Sequence, residues 1–157
     1  MASLTHLDNN GNPTMVDVGK KPETLRTAVA RSLVELNEEI MVLLENGEIQ
    51  TKKGAVFQTA IIAGIMAAKK TGELIPLCHP IGMDNCKINI KVVEKNTLEI
   101  ICEASVFGKT GIEMEALTGA SIAALTVYDM CKAMSHNIII KDTRLLQKTG
   151  GKKDFKI

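Results

Sequence analysis

Four stretches of the 157-residue chain hold residue types that could do chemistry. Lys52 and Lys53 stand directly before Gly54 and an apolar-periodic run that reads as a helix. A helix N-terminus carries partial positive charge, so two ammoniums there are mildly unfavourable unless an anion joins them. Lysine, glycine and a helix start together suit a phosphate or a carboxylate. Spacing alone favours a solvated surface pair. The second stretch is Pro76-Leu77-Cys78-His79-Pro80. A proline biases the residue before it toward extended backbone, so His79 sits in a stiff loop that can hold an imidazole at one angle. Adjacent side chains seldom aim at one point, which speaks against Cys78 and His79 as a nucleophile–base pair. His6 and His136 have no such support and read as surface residues.

The third stretch is a long helical pattern. Glu115 and Asp129 would lie on similar faces of it, about 20 Å apart along the axis. They can share a groove but not one small atom. Asp129 and Lys132 are i, i+3 neighbours, and by position alone an ordinary surface ion pair explains them better than chemistry does. Glu113 and Glu115 point apart if both are helical and converge only if the helix begins after Glu113. The fourth stretch, Lys148-Thr149-Gly150-Gly151-Lys152-Lys153, offers lysines and exposed backbone N–H groups that suit an oligophosphate, although mobile basic tails are commoner than sites. Gly108-Lys109-Thr110 imitates a P-loop, but that motif needs a glycine five residues before its Gly-Lys, where Glu103 stands. Thr110 and Glu113 instead fit a capping box.

These groups need elements to position them. Residues 15–18 read as a short strand, 24–36 as a strand despite a competing helical period, and 38–45 as a helix stopped by Asn46-Gly47. Phe57, Ile61, Ile65 and Ala68 recur at helical spacing, with Lys69, Lys70 and Gly72 closing the end. Residues 86–94 and 97–107 read as strands joined by a Lys95-Asn96 turn, 110–133 as the long helix and 137–146 as the last strand. The sum is β-α-α-β-β-α-β, and removing one helix leaves a ferredoxin-like order. The expected fold is α+β, a ferredoxin-like antiparallel sheet with helices packed on one face. It forms a single domain over 1–157, with 1–13 and 148–157 as mobile segments.

Composition bounds the function. Hydrophobic residues make up 45% of the chain and charged residues 24%, which is globular. Aromatics are only 3%, so the core is aliphatic and there is little for nucleic-acid bases to stack on. Nineteen Lys and Arg against eighteen Asp and Glu give a net charge of +1, and no global field draws DNA or an anionic membrane. Any anion site must be local. Four cysteines without a C-x-x-C pair give no zinc signature and no disulfide framework. No signal peptide or membrane span is visible. The expectation is a cytoplasmic protein that binds neither nucleic acid nor membrane.

Several segments then resemble one family: MVDVG (15–19), KKGAVFQTA with IIAGI and AAK (52–69), LIPLCHP (74–80), GKTGIEMEALTGASIAALTVYDMCKA (108–133) and RLLQKTGGK (144–152). Together they resemble the MoaC-type family of cyclic pyranopterin monophosphate synthases, which act in molybdenum cofactor biosynthesis. The likeness runs in register over nearly the whole chain. The one visible departure is KTGG where the family usually has KSGG, and threonine keeps the hydroxyl. The resemblance implies conversion of a 3′,8-cyclised dihydro-GTP to cyclic pyranopterin monophosphate, with release of pyrophosphate. It implies catalytic roles for Lys53, Lys132 and Asp129. Leu77, Cys78, His79, Met114 and Glu115 become substrate contacts, with Glu113 a further candidate and Lys148 a phosphate contact. It also implies a homohexamer, a trimer of dimers, with sites shared across the dimer interface. No cofactor is required by the sequence and no metal-ligand cluster is encoded, although Mg²⁺ can arrive with the phosphates. Without the resemblance, a nucleotide-sensing module without turnover and an oligomerising domain built on Met114, Met130 and Met134 fit the same residues.

Overall fold

The computed structural model describes residues 6–8 and 10–157. Strand β1 (Thr24–Glu35) is the centre of a five-stranded sheet. Its Thr- and Val-rich alternation settles the competition between periods: Ala28, Ala30, Ser32 and Val34 point to one face and are buried. The chain continues through one helical turn, α1 (Glu38–Met41), and three short strands, β2 (Leu44–Glu45), β3 (Glu48–Thr51) and β4 (Gly54–Ala55). It then enters helix α2 (Val56–Lys69) and the single turn α3 (Thr71–Leu74). Hairpin β5 (Asn85–Glu94) and β6 (Thr97–Gly108) leads to helix α4 (Glu113–Cys131), strand β7 (Ile139–Thr149) and β8 (Phe155–Lys156).

The main sheet runs β5-β6-β1-β7-β8 with every pairing antiparallel. Without the small additions, β1, α2, β5, β6, α4 and β7 form the expected β-α-β-β-α-β unit, with α2 and α4 packed on one sheet face. The buried face of β1 meets Leu98, Ile100, Cys102, Ala104 and Val106 of β6. Over it lie small residues: Ala60, Ala67 and Ala68 of α2, and Ala116, Ala120, Ala123 and Ala124 of α4. A core with few aromatics closes by bringing backbones together. The helices touch at Gly64 and Gly119, where a Cβ on Gly64 would lie 2.7 Å from the Gly119 carbonyl oxygen. Only glycine fits that crossing.

Several local expectations are corrected. Residues 15–18 join no sheet and form an irregular strap. The helix expected over 38–45 ends at Met41, because Asn46 (φ 51°) and Gly47 (φ 78°) are the centre of a two-residue hairpin turn between β2 and β3 and do not act as a helix stop. α4 begins at Glu113 with Ile112 as its cap residue and no side-chain cap, so Thr110 and Glu113 form no capping box. β7 runs on to Thr149, which places Lys148 on a strand of the sheet. The Thr149 hydroxyl lies 2.7 Å from that of Thr27 on β1, a use for the hydroxyl that threonine keeps.

Candidate functional site

The Lys52-Lys53 pair does not stand at a helix start. It forms the turn between β3 and β4, and α2 begins three residues later at Val56. The anion at the α2 N-terminus is supplied by the chain itself. The Glu48 carboxylate accepts hydrogen bonds from the backbone N–H groups of Phe57 (2.7 Å) and Gln58 (3.1 Å). Ala55, the cap residue, has no side chain able to do this. Lys53 is thereby freed for another partner. Its Nζ donates to the Asp129 carbonyl oxygen at 2.8 Å and to Asp129 Oδ2 at 3.0 Å. Lys132 Nζ lies 2.7 Å from Asp129 Oδ1. One carboxylate at the C-terminal end of α4 therefore holds two ammoniums. The hydrogen bonds from Lys132 and then Lys53 keep the Asp129 carboxyl below its usual range, and Asp129 in turn raises the Lys132 ammonium. Beside this trio a cavity of about 400 Å³ is walled by Leu43, Met130, Ala133 and Met134.

The remaining expected residues gather at the other end of α4. Leu77, Cys78, His79, Glu113, Met114, Glu115 and Lys148 all line one cleft of about 560 Å³. Glu113 and Glu115 line the same cleft although α4 begins at Glu113 and both are helical, which corrects the expectation that they converge only if the helix begins after Glu113. Their environments differ. Burial works against ionisation of Glu113, but the 2.8 Å hydrogen bond from Lys148 Nζ, with Arg26 nearby, brings its carboxyl below the usual value. Glu115 is 3% exposed, its Oε2 has no partner among the described residues, and burial raises its carboxyl. Cys78 is likewise raised by burial and by the neighbouring Glu115, which makes its thiol a poor nucleophile.

The cleft is also lined by Lys21, which sequence reasoning missed, by Val16 and Val18 of the MVDVG segment, by Lys152 of the basic tail, and by His6, which is exposed as expected but lines the rim. Lys21 and Lys152 add cationic lining; the tail motif had marked Lys152, whereas Lys21 has no spacing signal that could have marked it. The backbone at Gly150 is not open to an anion as expected. Its N–H donates to Asp154 Oδ1 at 3.1 Å, and its carbonyl accepts from the Thr24 hydroxyl at 2.7 Å. Among the described residues no group of three or more His, Cys, Asp or Glu is placed to hold a metal ion. Among them, too, no helix is long and apolar enough to cross a membrane.

The two clusters do not meet within one chain. Glu115 and Asp129 are fourteen positions apart on one continuous helix, which separates them by about 20 Å.

Comparison with known proteins adds independent findings. Residues 15–151 match the MoaC family. The chain is 51% identical over 154 residues to a cyclic pyranopterin monophosphate synthase of Xanthomonas campestris pv. campestris (strain B100), covering 98% of this chain and 93% of that protein. It is 50% identical over 149 residues to the synthase of the same name from Desulfitobacterium hafniense, covering 95% and 90% of the two chains. A molybdenum cofactor biosynthesis bifunctional protein of Synechocystis is 53% identical over 155 residues, which span 96% of this chain and 45% of that protein.

Proposed function

The chain belongs to the MoaC family, and from that premise we propose that it makes cyclic pyranopterin monophosphate in molybdenum cofactor biosynthesis. The substrate in this reading is 3′,8-cyclised dihydro-GTP and the second product is pyrophosphate, so the enzyme is a phosphorus–oxygen lyase and cyclase. The observation that carries it is the meeting of Lys53 and Lys132, from different elements, on the single carboxylate of Asp129. Rebuilding a purine as a pterin needs repeated proton transfers, which paired lysines and a carboxylate can perform. Phosphates need cationic donors, which Lys148, Lys21 and Lys152 offer around the cleft. Mg²⁺ would enter with the phosphates and not on a protein cage.

A lysine acts as a base only when neutral, and Asp129 favours the charged form of Lys132. Substrate binding must therefore loosen or share the Asp129 contact before Lys132 accepts a proton. In our reading the two lysines differ in protonation during part of the cycle, one serving as acid and the other as base.

The 20 Å between the two clusters calls for a second copy. An antiparallel twofold packing of helices sets the Asp129 end of one α4 beside the Glu115 end of its partner, and closure produces two complete sites. Ile62 and Met66 of α2 and Leu125 of α4, each more than half exposed, leave apolar surface on the helical layer for such contact. The dimer would be the repeating unit of a homohexamer. A cytoplasmic setting suits the four free thiols.

The test is turnover of the 3′,8-cyclised GTP, following pyrophosphate and pterin together. Wild type is expected to turn over. Lys53→Ala and Lys132→Ala are expected to bind substrate but lose about 10²–10⁴-fold in kcat. Saturable binding by the wild type with no product would leave a nucleotide-sensing module instead.

A further inference from the structure

His79 makes one side-chain hydrogen bond among the described residues, from Nε2 to the Val16 carbonyl oxygen at 2.7 Å. A carbonyl oxygen only accepts, so Nε2 must carry the proton. Turning the ring over would set a ring carbon against that oxygen at hydrogen-bond distance, inside van der Waals contact, so the ring has one orientation. In the neutral imidazole the lone pair is then on Nδ1, which has no protein partner among the described residues.

The Val16 carbonyl is itself held. Residues Met15–Gly19 form the irregular strap that joins no sheet, and several polar groups at its C-terminal end make specific contacts. The Asp17 carboxylate accepts the Gly19 N–H at 2.8 Å, the Lys21 N–H donates to the Val18 carbonyl at 3.1 Å, and Lys109 Nζ donates to the Gly19 carbonyl at 3.0 Å. Val16 and Val18 line the same cleft as His79. On the other side of the imidazole, Pro80 restricts the backbone of His79. The imidazole is thus held by Pro80 on its own backbone and by the anchored strap at Nε2, which keeps the ring in one tautomer.

We propose that the Met15–Gly19 strap is a positioning element for the reaction: the Val16 carbonyl locks His79 as the Nε2–H tautomer, and Nδ1 is the atom that accepts a hydrogen bond or a proton from the substrate. A proton taken at Nδ1 gives an imidazolium whose Nε2–H still donates to Val16, so the anchor holds in both protonation states. This rests on His79 belonging to the synthase site, but its first readout does not depend on turnover.

The experiment is long-range ¹⁵N–¹H correlation on ¹⁵N-histidine-labelled full-length protein in mildly alkaline buffer, with His79 assigned by comparison with His79→Gln. The expected spectrum has a pyrrole-like Nε2 and a pyridine-like Nδ1. Adding GTP as the probe should move Nδ1 and leave Nε2 nearly still. In Lys109→Met, which releases the Gly19 end of the strap, the two nitrogens should drift toward the averaged pair of a free imidazole. An Nδ1–H tautomer, an averaged pair in the wild type, or a GTP response at Nε2 would overturn the assignment. Unchanged nitrogens in a folded Lys109→Met would overturn the strap as its cause. A wrong tautomer with normal turnover leaves the synthase reading intact. The right tautomer in an enzyme that makes no product removes that reading alone.

Discussion

Asp129 and Glu115 show how two carboxylates on one helix are given opposite tasks by their surroundings. Asp129 lies between two ammoniums, is held below its usual range and raises Lys132. Replacing it by Asn removes the charge that favours the Lys132 ammonium. The limb of the pH–kcat/KM profile that belongs to Lys132 should therefore move to lower pH in Asp129→Asn, and a limb that stays in place would deny Asp129 this role. Glu115 is buried, with one oxygen unpartnered among the described residues and its carboxyl raised. Between the ordinary carboxyl value and the raised one, the folded state keeps a proton that the unfolded chain has released, so stability falls as pH rises through that window. Glu115→Gln should accordingly raise Tm at neutral pH, with the gain vanishing below the ordinary carboxyl range. A gain that persists in acid would mean that charge is not the cause. At this scale the sequence made the residue types legible. Asp129 with Lys132 was readable as an i, i+3 pair, whereas the arrival of Lys53 depends on a hairpin that no local spacing encodes.

Elements position these groups by long-range contacts as much as by local propensity. The long helices and the β5–β6 hairpin were legible because an apolar period over ten or more residues leaves few alternatives. The β2-β3-β4 meander was not: its strands are two to four residues long, and their apolar residues also fit a helical turn. Glu48 is the informative case, since it caps α2 from a neighbouring strand while Ala55 occupies the cap position. Glu48→Ala should lower stability by about 1–2 kcal/mol, read by urea unfolding, and Ala55→Asp in the same chain should restore much of the loss. No rescue would show that Glu48 acts by something other than capping. Gly64 gives a second check on the helical layer. Alanine there improves helix propensity by about 1 kcal/mol, yet its Cβ would press on the Gly119 backbone. Overpacking wins, and Gly64→Ala should destabilise by about 1–3 kcal/mol in the same measurement. A stabilised variant would mean that the helices can separate freely.

Across the whole molecule, the governing feature is that α4 gathers one cluster of candidate site residues at each end. His79, Glu113, Glu115 and Lys148 surround the cleft at its start, and Lys53, Asp129 and Lys132 cluster at its finish. The helix length was legible from sequence, so the separation was too; which groups each end collects was not, because β3, β4 and the Met15–Gly19 strap come from elsewhere in the chain. In the antiparallel dimer proposed above, every complete site takes the lysines from one protomer and His79 from the other. The direct test is subunit complementation, with turnover of the 3′,8-cyclised GTP measured for Lys53→Ala, His79→Ala and an equimolar mixture unfolded and refolded together. Each variant alone has no complete site. A mixed dimer has one site carrying both lesions and one carrying neither, so random mixing should restore about a quarter of wild-type activity. A refolded mixture no more active than its separate parents would contradict a site divided between two copies of this chain.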